Sequence, residues 1–233
     1  MLAIFKREFK SYFISPIGYI FLAAFTFFEA MFFSLLYTSG STQIQYIITS
    51  ISSVVVFALP ILTMKMLSED RRQKVDQVLL TAPISVTAIV MGKLLATLAV
   101  FMLAFAPTLI FQIIVSTLAT ANWLNYLYCL FGVMLLGAAM ISIGMFISSL
   151  TESSVVAAIL TIVVNFIVMM ATSFASTLSS ELLTKVAESI SFIDRFSNFS
   201  SSMLSIADIV YFLSITVVFV FLSVRSVERR RWA

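Results

Sequence analysis

The chain has 233 residues, of which 61% are hydrophobic and 11% charged, with a formal net charge of +3. A soluble domain is roughly 45–50% apolar and about 25% charged, so this polypeptide lacks the polar surface needed to fold in water. Its apolar runs approach 20 residues and show no period-2 alternation, which indicates an all-α integral membrane protein. Histidine is absent and Cys129 is the only cysteine, which removes the commonest general base and zinc ligand and any intrachain disulfide.

Residues 1–16 open the chain as an amphipathic helix. Phe5, Phe9 and Phe13 recur every four residues, Lys6, Arg7 and Lys10 occupy the rest of the wheel, and Ser15-Pro16 breaks the helix. Such a segment suits the headgroup layer, aromatics down and cations up. The plainer reading is a set of flanking anchors for the first span. The apolar run after Lys10 is too long for a cleaved signal, and no small-residue cleavage site follows it.

Six apolar segments follow, at 17–38, 45–64, 86–117, 123–149, 154–175 and 206–225. With six spans, twelve of the 14 basic residues fall on one side: Lys6, Arg7 and Lys10; Lys65, Arg71, Arg72, Lys74 and Lys93; Arg225, Arg229, Arg230 and Arg231. Lys185 and Arg195 are left opposite. The positive-inside rule then puts both termini in the cytoplasm. Five or seven spans would divide the basic clusters. Lys93, at the cytoplasmic end of the third span, is expected to snorkel to the headgroups. Pro60 and Pro107 are expected to kink the second and third spans.

Between the second and third spans lies "LSEDRRQKVDQVLLTAP", with six charged side chains in the eight positions from Glu69 to Asp76. Residues 68–80 read as a short helix capped by Ser68, with Glu69 and Asp70 in the first turn. Asp70 and Lys74, and Arg72 and Asp76, are four apart. Val75, Val78 and Leu79 form an apolar stripe, and Pro83 stops the helix. A solvated topogenic loop needs only Lys and Arg; acids, cap, stripe and stop suit docking on another protein. Both readings stay open on pattern alone.

Glu29 sits midway along the first span, where a carboxylate costs at least ~2.5 kcal/mol. It is either a substrate or proton contact or an interhelical hydrogen-bonding group. Asn165 lies on a small-polar row with Ala157 and Thr161, and Gly144 and Ser148 make a similar pair in the fourth span. These are packing faces, a dimer seam, or part of a pathway. The serine-rich stretch 176–205 carries Leu178, Leu182, Val186, Ile190, Ile193 and Phe196 at helical spacing. It is read as helices dipping into the outer leaflet or packed on the surface. Asp208, at the outer start of the sixth span, is read as a helix N-terminal charge.

"ALPILTMKMLSEDRRQKVDQVLLTAPIS" (58–85) resembles the first cytoplasmic loop of permeases of the ABC type-2 exporter family. "FKREFKSYFISPIGYI" (5–20) is similar to that family's amphipathic helix before span 1, and the six-span layout extends the likeness over nearly the whole chain. The short gliding-motility-associated and multidrug-type permeases are the nearest subgroup. The resemblance implies a single permease domain, 1–233, in the inner (plasma) membrane of a bacterium. It implies that 68–80 is a coupling helix seated in a separate ATP-binding subunit, with two such subunits and a second permease copy or paralogue completing the transporter. The 176–205 segment would be an outer gate. ATP and Mg would be bound by the partner and no cofactor by this chain; no nucleic acid is implied. In keeping with this, no G-x-x-x-x-G-K-[ST] phosphate loop occurs, and Gly92-Lys93 lacks its remaining elements. The chain is therefore expected to be non-catalytic. An ion-coupled carrier or channel working alone, or a permease-fold anchor or signalling subunit, is the alternative.

Overall fold

The computed structural model describes residues 1–73, 85–118, 120, 122–173, 191–201, 203 and 205–231, the side chains of 230 and 231 excepted. The described residues form helices and turns. In chain order the helices are α1 (Leu2–Ile14), α2 (Pro16–Thr38), α3 (Gln45–Thr63), α4 (Ser68–Arg72) and α5 (Val86–Ala104). Then come α6 (Ala106–Leu118), α7 (Trp123–Leu150), α8 (Ser154–Met169), α9 (Phe192–Ser200) and α10 (Ile206–Arg231).

Local chemistry explains most boundaries. Ser15 separates α1 from α2: its hydroxyl accepts from Ile17 N (3.5 Å), and Pro16 occupies the first helical position, where no N–H is needed. Ser85, Asn122, Ser153 and Ser191 cap α5, α7, α8 and α9 in the same way. The third apolar run is two helices, not one kinked rod. Pro107 cannot donate to the i−4 carbonyl, so the chain turns at Phe105, whose carbonyl accepts from Thr108 N (3.2 Å) and Thr108 Oγ1 (2.7 Å). α3, by contrast, continues through Pro60 to Thr63.

Five stretches are long and apolar enough to cross a membrane: Pro16–Thr38, Gln45–Arg72, Val86–Leu118, Trp123–Leu150 and Ile206–Arg229. The fifth expected span is represented by α8, a shorter apolar helix of 16 residues. α7 is the most buried of the long helices and packs against α3, α5, α8, α9 and α10, while α2 and α10 expose most of their apolar surface. Phe25 on α2 stacks on Phe21 and meets Phe101 of α5 and Phe105 at the turn after it, edge-to-face at 5.1–6.2 Å. Three glycines let neighbours reach the α7 backbone. A Cβ at Gly132 would lie 2.6 Å from Phe199, at Gly137 it would run into the Phe101 ring, and at Gly144 it would lie 2.5 Å from Thr63 Oγ1.

The basic segments gather at one end of this bundle. α1, α4, the start of α5 and the C-terminal ends of α3, α7 and α10 are joined there by side-chain bonds. At the far end Arg195 of α9 pairs with Asp208 of α10, and Tyr126 of α7 bonds Thr108 of α6.

Candidate functional site: an ionic knot beneath the charged loop

α4 is held by its neighbours rather than by its own sequence. The Ser68 hydroxyl does not cap it. That hydroxyl is fully buried and donates back to the Met64 carbonyl, with Ser154 Oγ 3.2 Å away. The cap comes from Ser148 on α7, whose hydroxyl accepts from Leu67 N (3.1 Å) and Ser68 N (3.0 Å) and donates to Met64 O (3.2 Å). One donor and two lone pairs are thereby all used. Ser148→Ala strands two buried backbone donors at ~1–3 kcal/mol each. It should therefore cost about 2–6 kcal/mol, measured as a lower Tm in detergent.

Among the described residues, Asp70 is the loop acid that faces inward. Asp70 Oδ2 lies 2.8 Å from Lys93 Nζ on α5, and Glu8 Oε2 on α1 lies 3.2 Å from the same ammonium. Lys93 is only 2% exposed. It does not snorkel: two carboxylates from other elements supply the counter-charge that headgroups would have given. Glu8 also pairs with Arg7. One turn along α1, the Tyr12 hydroxyl reaches Leu62 O (3.1 Å) and Thr97 Oγ1 (2.8 Å), and Thr97 donates to Lys93 O (3.0 Å). Burial holds the Tyr12 phenol well above its ordinary range; the Thr97 hydrogen bond opposes this and the Glu8 charge adds to it. Tyr12 is thus a neutral hydrogen-bonding strut at working pH.

The remaining loop charges point outward by degrees. Glu69 bonds Lys65 (3.3 Å) and Gln73 (3.0 Å), and Arg72 lies 3.8 Å from it. Arg71 reaches sideways to Glu152 (2.7 Å) and Leu150 O (3.4 Å) in the α7–α8 turn. Arg72, with 64% of its side chain exposed, faces solvent. Lys74, Val75, Asp76, Val78 and Leu79 lie outside the described residues, as do the expected Asp70–Lys74 and Arg72–Asp76 pairs. Between α1, the end of α3 and α4 runs a cleft of ≈ 330 Å³ lined by Arg7, Glu8, Tyr12, Lys65, Glu69 and Asp70.

α1 carries the expected aromatic ladder, Phe5–Phe9 at 5.9 Å and Phe9–Phe13 at 5.1 Å, with Lys6 and Lys10 exposed. It also has a third face. Ile4, Glu8 and Tyr12, four apart, turn to the body of the bundle, where Ile4 meets Gly92.

Glu29 and Asn165 are not brought to this site. Both are fully buried, and among the described residues their side-chain polar atoms have no hydrogen-bond partner. Thr161 and Ala157 are buried beside Asn165 on the same face of α8, so that row packs inward. A partnerless carboxylate is a burden, so Glu29→Leu should raise stability by about 1–3 kcal/mol, read as a higher Tm in detergent. A fall in Tm would reveal a partner in the assembled transporter. Asp208 does more than favour a helix N-terminus: it accepts from Arg195 Nη1 (2.9 Å) and Asn198 Nδ2 (2.7 Å), clamping α9 to α10. Of the outer stretch 176–205, residues 176–190 are outside the described residues, and α9 buries Phe192, Phe196 and Phe199 against α7 and α10.

A buried charge knot that ties a cytosol-type loop to several apolar helices suits a transport subunit, and comparison with known families decides which. The family model of the ABC-2 family transporter proteins matches residues 2–231. The chain belongs to the ABC-2 transporter family. It is a multi-pass membrane permease component, and the family associates with an ABC ATPase subunit and the membrane. No curated protein matches the chain. In this ABC-2 permease, α4 and its knot occupy the loop whose sequence carried the family resemblance.

Proposed function

We propose that this permease is the membrane half of an ATP-driven exporter in a bacterial plasma membrane, with α4 as the element that receives motion from a separate ATPase. The observation that carries the reading is the Asp70–Lys93–Glu8 knot, because it makes the loop mechanically continuous with α5 and α1. Ser148 adds α7 to the same linkage. A push on α4 cannot be absorbed locally: moving Asp70 away from Lys93 would leave a buried ammonium without part of its counter-charge. In this reading ATP and Mg reside on two partner ATPases, a second permease copy or paralogue completes the pore, and closure of the ATPases tilts the helices to open the outer side.

Six crossings with cytoplasmic termini fit the same contacts. α8 starts beside Ser68, and α9 packs on Gly132, in the half of α7 away from Ser148, before α10 begins. The described ends of this stretch, Ser154 beside Ser68 and α9 beside Gly132, lie toward opposite ends of α7, which supports a sixth crossing between them. α1 would lie in the cytoplasmic headgroup layer, and α9 would belong to the outer gate.

The test is to purify the permease with its cognate ATPase and measure stimulated ATP hydrolysis. Replacing Glu69, Arg71 and Arg72 together should abolish stimulation while membrane insertion is kept. Arg71 has internal partners, so Arg72→Glu alone separates docking from packing: it should weaken stimulation with Tm unchanged. Full stimulation of the triple variant, or solute movement by the permease without an ATPase, would overturn the assignment.

A further inference from the structure

At the same end of the bundle, α7 and α10 part to leave a groove of ≈ 710 Å³. Its floor is Phe146 and Leu150, four apart on α7, with Leu222 of α10. Its rim is Arg225, Glu228 and Arg229. Leu222, Arg225 and Arg229 are three and four apart, so one stripe of α10 runs from apolar to cationic. The Ser149–Ser226 hydrogen bond (2.9 Å) ties the two helices at this level. From Ile209 to Val224 α10 carries no charge, about 24 Å of helix, so its arginines emerge where hydrocarbon gives way to headgroups.

We infer that this groove binds one monoanionic phospholipid, its phosphodiester between Arg225 and Arg229 and an acyl chain along Phe146, Leu150 and Leu222. The charge balance specifies the occupant. Glu228 lies 3.1 Å from Arg225 and cancels one guanidinium, whereas Arg229 has no ion pair among the described residues. The rim therefore holds one net positive charge, matching one phosphodiester. Arg225 also stacks 5.2 Å from the Phe221 ring, which fixes its guanidinium on the lipid-facing side of α10. A free phosphate would leave the apolar floor bare. A protein partner would have to reach Leu222 and Phe146 through the membrane edge. Basic pockets between spans at headgroup depth commonly recognise anionic lipid.

The experiment is native mass spectrometry of the purified full-length permease in detergent, titrated with phosphatidylglycerol, with phosphatidylcholine of the same acyl chains, and with sn-glycerol 3-phosphate. Wild type should hold one phosphatidylglycerol at least tenfold more tightly than either control. R225Q/R229Q should weaken phosphatidylglycerol about 30-fold, from the contribution of each basic group near an anionic headgroup. Phosphatidylcholine binding and Tm should not change. R225K/R229K should stay within a few-fold of wild type, which separates charge from packing. Equal affinity for the two lipids, or a double glutamine variant that keeps its preference, overturns the site. Glycerol phosphate binding as tightly as lipid would make it a bare anion site. Loss of a co-purifying ATPase from R225Q/R229Q without any lipid preference in wild type would make it a protein-docking rim. These readouts need no ATPase activity, so they succeed or fail independently of the transport assignment.

Discussion

Lys93→Ala should be the most damaging single substitution in the chain. The ammonium is 2% exposed, 2.8 Å from Asp70 and 3.2 Å from Glu8, and among the described residues only Arg7, beside Glu8, offers these two acids another cation. Truncation leaves two carboxylates facing an emptied site at the membrane edge. Breaking a buried ion pair from one side costs about 3–5 kcal/mol, and Tm in detergent should fall accordingly. Replacing the whole knot by near-isosteres is a different matter: Lys93→Met with Glu8→Gln and Asp70→Asn removes the desolvation cost together with the attraction, and is commonly close to neutral. The triple variant should therefore recover most of the lost Tm while its partner ATPase stays unstimulated, because amides hold α4 to α5 less firmly than charges do. A Lys93–Asp70 double-mutant cycle should give a coupling of about 0.5–3 kcal/mol. Strict additivity, or a Lys93→Ala variant as stable as wild type, would remove the knot from both the fold and the mechanism.

The knot shows where physical reading of a sequence stops. The apolar runs, the Ser15-Pro16 corner and the serine and asparagine caps are local features. Local chemistry decides most of them, although the run 86–117 divides into α5 and α6 at Phe105. Partners across the fold are another matter. Ser148 caps α4 from 80 positions away, and no periodicity can announce that; it displaces Ser68, which had every local credential for the role. Snorkelling was the natural expectation for a lone lysine at a span end, and it fails because Asp70 and Glu8 reach it first. One clue was available. Glu8 is the only acid in an otherwise basic α1 and stands four from both Ile4 and Tyr12, so it belongs to neither the aromatic nor the cationic face. A charge out of pattern on an amphipathic helix asks for an opposite charge, and Lys93 is the single charge between Val86 and Leu118. Asp208 follows the same logic with Arg195, since both are charges in apolar surroundings whose pairing only the fold reveals.

Gly144→Val should be the second severe lesion, for a steric rather than an electrostatic reason. Here α3, α7 and α8 cross: an added Cβ would lie 2.5 Å from Thr63 Oγ1 and 2.9 Å from both Thr63 Cβ and Thr161 Cγ2. Those atoms sit close to their own backbones and cannot swing aside as a long side chain would, so a helix must move. Overpacking of this kind costs about 1–3 kcal/mol, and valine's two γ-methyls put it at the upper end. Its consequence should reach beyond stability. Thr63 is the last residue of α3, four residues before the Leu67–Ser68 peptide that Ser148 holds, and Ser148 is one turn beyond Gly144 on α7. Displacing α3 from Gly144 lifts α4 off its cap, so ATPase stimulation should fall further than Tm alone predicts. Thr63→Ala in the same chain removes Oγ1 but not Cβ and should restore part of both. Gly40→Ala is the control: Gly40 has φ +67° in an exposed turn with nothing within 4 Å, so alanine there carries only backbone strain of about 1–2 kcal/mol, with stimulation intact. If Gly144→Val matched Gly40→Ala in both readouts, the close crossing of these three helices would not be what positions the charged loop.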